Sequence, residues 1–153
     1  MLYLVRHAKA GSRQEWRGDD RLRPLSKPGR RQADTLARRL ARFADGELVS
    51  SPYERCQETL APLASVVRVP IRLDERLAEA ASFEGMLALL AEVPDGTIVC
   101  SHGDVIPDTI AALERRGCAF TGEPQWGKGS VWVLERDGEG NVIAASAWPP
   151  PED

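Results

Sequence analysis

"MLYLVRHA" fills residues 1–8 and "GTIVCSHGD" residues 96–104. Each is an apolar run too short for a helix that runs straight into a histidine. Such runs, with no polar alternation, suit strands buried on both faces in a parallel or mixed sheet. His7 and His102 are the only two histidines of the chain. Both therefore fall at the carboxyl end of a predicted strand, where open α/β sheets bind their ligands. That placement points to one shared site rather than two unrelated structural histidines.

The segments between and beyond these strands read as alternating helix and strand. From Ser26 onward, Ala33, Leu36, Ala37, Leu40, Ala41 and Ala44 follow helical spacing, with Arg31, Arg38, Arg39 and Arg42 on the other faces. "ELVSS" (47–51) reads as a strand. "SPYE" (51–54) reads as a capping box with Pro52 at the first helical position, so a helix is expected to begin beside Ser51. "VRVPIRL" (67–73) is a further extended segment, and "SFEGMLALLAEV" (82–93) a helix capped by Ser82. Pro107 is tolerated in a first helical turn, so the next helix should start within a few residues of His102. "SVWVLE" and "NVIAASAW" about the turn "DGEG" close the chain as an antiparallel hairpin. The pattern predicts an α/β fold, a three-layer α/β/α arrangement on a mostly parallel sheet. It is read as a single domain over 1–148 with residues 149–153 as a flexible tail.

At 153 residues one domain can bury roughly 70% of the surface its unfolded chain exposes. The content of 42% hydrophobic and 28% charged residues excludes disorder, collagen and coiled coil. With 20 basic against 23 acidic residues and a net charge of −3, no overall positive field holds a nucleic acid backbone, and nucleic acid is not expected as a partner. Cys56, Cys100 and Cys118 form no CxxC pair and fit neither a disulfide framework nor a zinc site. A reducing, cytoplasmic compartment is expected. The short apolar start resembles neither a signal peptide nor a membrane span, so no membrane partner is expected either.

Arg6 and His7 on the first strand, Arg55 early in a helix, and His102 can converge on one end of the sheet. Guanidinium groups grip phosphate bidentately, and an imidazole held in one tautomer is a competent nucleophile. Phosphoryl transfer through a phosphohistidine then needs no metal and no cofactor. A metal hydrolase is the rival, with Asp104 or Glu79 joining the histidines, but two arginines in the site would repel the cation. "GEPQWGKG" approaches a nucleotide-binding P-loop, yet Gly129 replaces the hydroxyl residue and a strand follows. Lys128 could still point toward an anion. No cysteine is followed by arginine at the spacing of a cysteine phosphatase, and the four tryptophans show no paired spacing.

"LVRHA", "SSPYERCQETL" and "CSHGD" together resemble the histidine phosphatase superfamily, which has the phosphoglycerate mutase-like fold. Its marks are an Arg-His pair ending the first strand, Ser-Pro-x-x-Arg-x-x-x-Thr opening a helix, and a later His-Gly. The resemblance spans nearly the whole chain and is nearest to the SixA-like branch. "GDDRLRPLS", "VIPD" and "KGSVWVL" also look like the phosphatase-like domain that follows a MutT-like Nudix hydrolase in some actinobacterial proteins. The resemblance implies that His7 is the nucleophile and that Arg6, Arg55 and His102, with Gly103 beside it, bind the phosphoryl oxygens. It implies Glu79 as general acid, with Glu75 and Asp104 as competitors; Glu75 could instead pair with Arg72 or Arg76, and Asp104 could cap a helix. Ala8 replaces the commoner glycine and is expected to narrow the pocket floor, and Glu58 stands where glutamine is common.

Residues 8–25 make a connection of unusual length. Its Arg13 and Arg17 are candidate contacts of a basic lid that selects polyanions. The expected partner is a phosphorylated small molecule, a nucleotide or a phosphoprotein, with the oligomeric state open. A mutase is the weaker enzymatic alternative. A phosphate-recognising binding module or Nudix-partner domain with little turnover is the alternative from another class.

Overall fold

Side-chain alternation along three buried strands builds the layers. In a computed structural model that describes residues 1–152, β1 (Leu2–Arg6), β2 (Leu48–Ser50) and β4 (Ile98–Ser101) lie inside one seven-stranded sheet. Leu2, Leu4, Val49 and Val99 face a core shared with α3 (Phe83–Glu92) and α4 (Val105–Arg115). Tyr3, Val5, Leu48, Ile98 and Cys100 face the opposite core, shared with α1 (Lys27–Leu40) and α2 (Glu54–Val67). Because a strand's side chains point alternately to the two faces, sandwiching between helices demands the uninterrupted apolar runs read above.

With β3 (Ile71–Leu73), β5 (Ala119–Phe120), β6 (Val131–Arg136) and β7 (Val142–Trp148), the strand order is β3-β2-β4-β1-β6-β7-β5. The half from β3 to β1 is parallel; β6 runs antiparallel to β1 and to β7, while β5 pairs parallel with β7. The sheet is therefore mixed, with the expected parallel core and hairpin. Register in the β1–β4 pair sets Arg6 opposite Ser101. The next residue on each strand is a histidine, so the pairing itself aligns His7 with His102.

Ser26 caps α1 by accepting from the Gly29 amide at 3.2 Å, and Ser82 caps α3 by accepting from Glu84 at 3.2 Å. The capping box at Ser51 does not form. α2 begins at Glu54 with Tyr53 as a cap residue whose side chain makes no capping bond, and it continues through Pro62 to Val67, shortening the extended segment read at 67–73 to Ile71–Leu73. No helix among the described residues is long and apolar enough to cross a membrane. In the tail, Pro151 is buried; it is seated near Gly129, with Pro150 near Gly127. Asp153 lies outside the described residues.

The segment after His7 is stitched to the domain. Ala10 and Leu25 form an antiparallel bridge, and a short 3-10 turn at Asp20–Leu22 is capped by Asp19. The Lys9 carbonyl accepts from the Ser26 amide at 3.0 Å and its hydroxyl at 3.1 Å. Any Cβ at Gly29 would overlap that carbonyl, so the approach of this loop to α1 requires glycine.

Candidate active site

His7 is 6% exposed, and its Nδ1 lies 2.8 Å from the carbonyl oxygen of Ala8. A carbonyl can only accept, so the ring proton resides on Nδ1 and the Nε2 lone pair is unprotonated. Burial, reinforced by repulsion from His102, Arg55 and Arg6, pushes His7 down to about 3. It is thus a neutral imidazole across the physiological range. Ala8 in turn donates its amide to Thr59 Oγ1 at 3.0 Å, and that hydroxyl donates to the Arg55 carbonyl at 2.6 Å. The threonine of the motif thereby ties α2 to the segment carrying His7. Ala8 does not narrow the pocket floor: its methyl packs with Leu25 and Ala33 in a small core of its own.

His102 is 1% exposed, with its Nε2 2.8 Å from Ser51 Oγ. Ser51 Oγ also accepts from the Tyr53 amide at 3.2 Å; when its hydroxyl donates to His102 Nε2, the imidazole proton stands on Nδ1. That Nδ1 is buried without a protein partner. An N–H so held can donate to an oxyanion. The oxygen expected to cap α2 thus binds the Tyr53 amide and the histidine together, and α2 begins only at Glu54.

Arg6 reaches across Gly103, where a Cβ would come within 2.5 Å of its Cζ, so the glycine after His102 makes room for the guanidinium. Its Nη1 donates to the Trp126 carbonyl at 2.6 Å. Arg55 is fully buried. It donates to the Asp20 carbonyl at 2.9 Å and carboxylate at 3.1 Å, and it lies 3.4 Å from Glu79 Oε2.

A cavity of about 390 Å³ opens over this cluster, lined by Arg6, His7, His102 and Gly103 and by Arg13, Glu79 and Asp104. Arg55 stands behind it. Glu79 accepts from Arg13 at 2.8 Å. Asp104 takes the structural role weighed for it: one oxygen accepts from the Val105 amide at 2.9 Å and the other from Ala80 at 2.7 Å. Glu75 pairs with Arg21 at 3.1 Å rather than with Arg72 or Arg76, and it does not line the cavity. Arg17 is exposed and does not line it either. Of the two lid arginines, only Arg13 is brought in. Among the described residues no three His, Cys, Asp or Glu side chains converge as a metal site.

Sequence reasoning missed Asp20 and Arg23. Asp20 bridges two arginines, accepting from Arg23 Nε at 2.9 Å through one oxygen and from Arg55 through the other. Arg23 is 5% exposed, lines the cavity, and also donates to the Gly11 carbonyl at 2.6 Å. A run such as "DDRLR" looks like a solvated charge cluster, and nothing in it announces a partner 35 positions away.

The histidine phosphatase superfamily (branch 1) matches residues 2–94. The chain belongs to that superfamily. An 8-oxo-(d)GTP phosphatase of Mycolicibacterium smegmatis is 34% identical over 156 residues, covering 98% of this chain and 48% of that protein. The chain thus spans about half the length of this curated relative. Among solved structures, one assigned to the phosphohistidine phosphatase SixA of Nakamurella multipartitia superposes with a TM-score of 0.74 at 26% identity, covering 97% of this chain and 95% of that one. A protein histidine phosphatase SixA complexed with tungstate superposes with a TM-score of 0.73 at 20% identity, over 96% of this chain and 93% of its own. These likenesses bear out the phosphoglycerate mutase-like fold and the SixA-like resemblance.

Proposed function

We propose that this histidine phosphatase superfamily member, a single domain over residues 1–148, is a metal-independent phosphatase working through a covalent phosphohistidine. Its substrates are drawn from phosphorylated small molecules, nucleotides and phosphoproteins. The observation that carries this reading is the tautomer of His7: Nδ1–H is spent on the neighbouring carbonyl, so the nitrogen left with a lone pair is Nε2. Arg6, Arg55 and His102, all near the His7 ring, supply the donors that a transferring phosphoryl group needs. Nε2 attacks phosphorus, the bond to the leaving oxygen breaks, and water later displaces the phosphoryl group from nitrogen. The charge stabilisation that a magnesium ion gives elsewhere falls here to arginine and histidine.

A quenched reaction with labelled phosphoester in the presence of chelator is expected to leave acid-labile, base-stable label on the protein. Turnover that vanishes in chelator and returns with zinc or magnesium would favour a metal hydrolase instead. Within the same reading Glu79 protonates the leaving oxygen. Glu79→Gln should therefore slow alkyl phosphates at least ~10-fold more than aryl phosphates, whose leaving groups need less help. An equal loss on both would confine Glu79 to holding Arg13 and Arg55.

A further inference from the structure

The cavity carries more positive charge than one phosphoryl group requires. Arg6, Arg13, Arg23 and Lys128 line it against two lining carboxylates, Glu79 and Asp104, with Asp20 behind them on Arg23 and Arg13, in a chain whose net charge is −3. Arg6 belongs with the histidines at the strand ends. The other three stand on the loops that form the outer wall, Arg13 and Arg23 on the segment after His7 and Lys128 on the segment before β6.

Arg23 and Lys128 are held in place yet incompletely satisfied, while Arg13, whose side chain is 64% exposed, pairs with Glu79 at 2.8 Å and lies 4.0 Å from Asp20. Arg23 is 5% exposed, and Asp20 and the Gly11 carbonyl engage its Nε and Nη1. Its Nη2 makes no hydrogen bond among the described residues. Lys128 has its backbone fixed from both sides: its carbonyl accepts from Gln32 Nε2 at 3.2 Å, and the next amide, Gly129, donates to the carbonyls of Arg6 at 3.1 Å and His7 at 3.2 Å. Among the described residues its ammonium has neither a carboxylate within 4.0 Å nor a hydrogen bond. Partial burial, and then the charges of Arg6, Arg23, Arg13 and Arg55, hold Lys128 below its usual range. Gathering like charges around a cleft is unfavourable without a counter-ion, and a polyanionic ligand supplies one.

We propose that Arg13, Arg23 and Lys128 form a second anion subsite on the rim, and that the preferred substrates are phosphoanhydrides. In such a substrate the terminal phosphoryl group is attached to another phosphate, as in inorganic pyrophosphate or a nucleoside di- or triphosphate. This rests on the phosphatase reading above. A cavity of about 390 Å³ lies within the size range of small-molecule sites, roughly 300–1,000 Å³, and so is built for more than orthophosphate. His7 Nε2 attacks the terminal phosphorus, and the bond to the bridging oxygen breaks. The electron pair stays on that oxygen, which departs as phosphate or as the nucleotide shortened by one phosphate, still gripped by Arg23 and Lys128. Water then displaces the phosphoryl group from nitrogen, releasing orthophosphate and a proton. A phosphate leaving group needs less protonation than an alkoxide, which suits a Glu79 engaged by Arg13 at 2.8 Å and Arg55 at 3.4 Å.

The test has a binding arm and a kinetic arm, both on the full chain in chelator. Calorimetry with inorganic pyrophosphate and with orthophosphate should give at least ~10-fold tighter binding of pyrophosphate. The ratio of kcat/KM for pyrophosphate to that for p-nitrophenyl phosphate should fall about 10-fold in Lys128→Ala and further in Lys128→Glu. Equal affinity for the two anions in the unmodified chain, or a ratio unmoved by both substitutions, would overturn the subsite. If aryl phosphate is still hydrolysed through labelled His7 in that case, the phosphatase reading stands alone. Tight, Lys128-dependent pyrophosphate binding without turnover or label would sink the phosphatase reading and leave the anion subsite.

Discussion

His7→Ala is expected to lower phosphatase turnover on the order of 10⁴-fold or more, the scale at which loss of a covalent nucleophile is felt, and to abolish the trapped label. Neither the second imidazole nor the nearest thiol is placed to take over. The Cys56 thiol is buried beneath His102, and His102 Nε2 is engaged by Ser51. The same variant has a second, independent signature in stability. Because folding pushes His7 from 6.5 down to about 3, the unfolded chain binds a proton there that the native chain does not over the whole interval between. The associated stability is fully present above pH 6.5 and is lost as pH falls toward 3, at of order 1 kcal/mol per pH unit. Urea midpoints measured from pH 7 to pH 5 should therefore fall more steeply in the unmodified chain than in His7→Ala. Parallel pH profiles would mean that His7 is not buried as a neutral base. Undiminished turnover in the variant would remove it from the chemistry.

The parts of the fold that depend on burial alone were legible in the sequence. Leu2–Val5 and Ile98–Cys100 are apolar at every position because helices cover both faces of the sheet, and that leaves a mark no surface strand carries. Both caps at Ser26 and Ser82 form, at Ser26 because the oxygen can accept from Gly29 while its proton goes to the Lys9 carbonyl. Ser51 follows the same local rule in sequence and breaks it in the structure. There a buried imidazole offers a partner that the local pattern cannot contain. β5 was missed since two residues, Ala119 and Phe120, are too few to show a period. In the site, the two histidines, Arg6 and Arg55 could be picked out because strand ends and a helix opening place them. Asp20, Arg23 and the failure of Arg17 to reach the cavity could not be read, because they depend on how an 18-residue loop folds back. Its path is fixed by long-range contacts: the Ala10–Leu25 bridge, Arg23 to the Gly11 carbonyl, and Asp20 to Arg55.

Arg55→Ala is expected to damage turnover and folding together, whereas Arg55→Lys should separate the two. Arg55 is the largest fully buried side chain of the domain, and it bridges Asp20 on the loop after His7 to Glu79 on the segment after β3. Removing one partner of a buried ion pair typically costs about 3–5 kcal/mol, since charge is left without compensation. The carboxylates left behind are 35% and 28% exposed and can recruit water, so a loss near ~3 kcal/mol is expected, read as a shift of the urea midpoint. Lysine restores a positive charge near the carboxylates and should recover part of that loss. It cannot reproduce the fork that donates at once to the Asp20 carbonyl at 2.9 Å and its carboxylate at 3.1 Å, nor grip a phosphoryl group bidentately. Turnover should then stay down by roughly 10²–10³-fold in both variants, the usual cost of losing a preorganised donor to a developing oxyanion. A lysine variant with full activity would mean that only the charge at this position matters. One as unstable as Arg55→Ala would mean that the fork, rather than the charge, holds the loop against the domain.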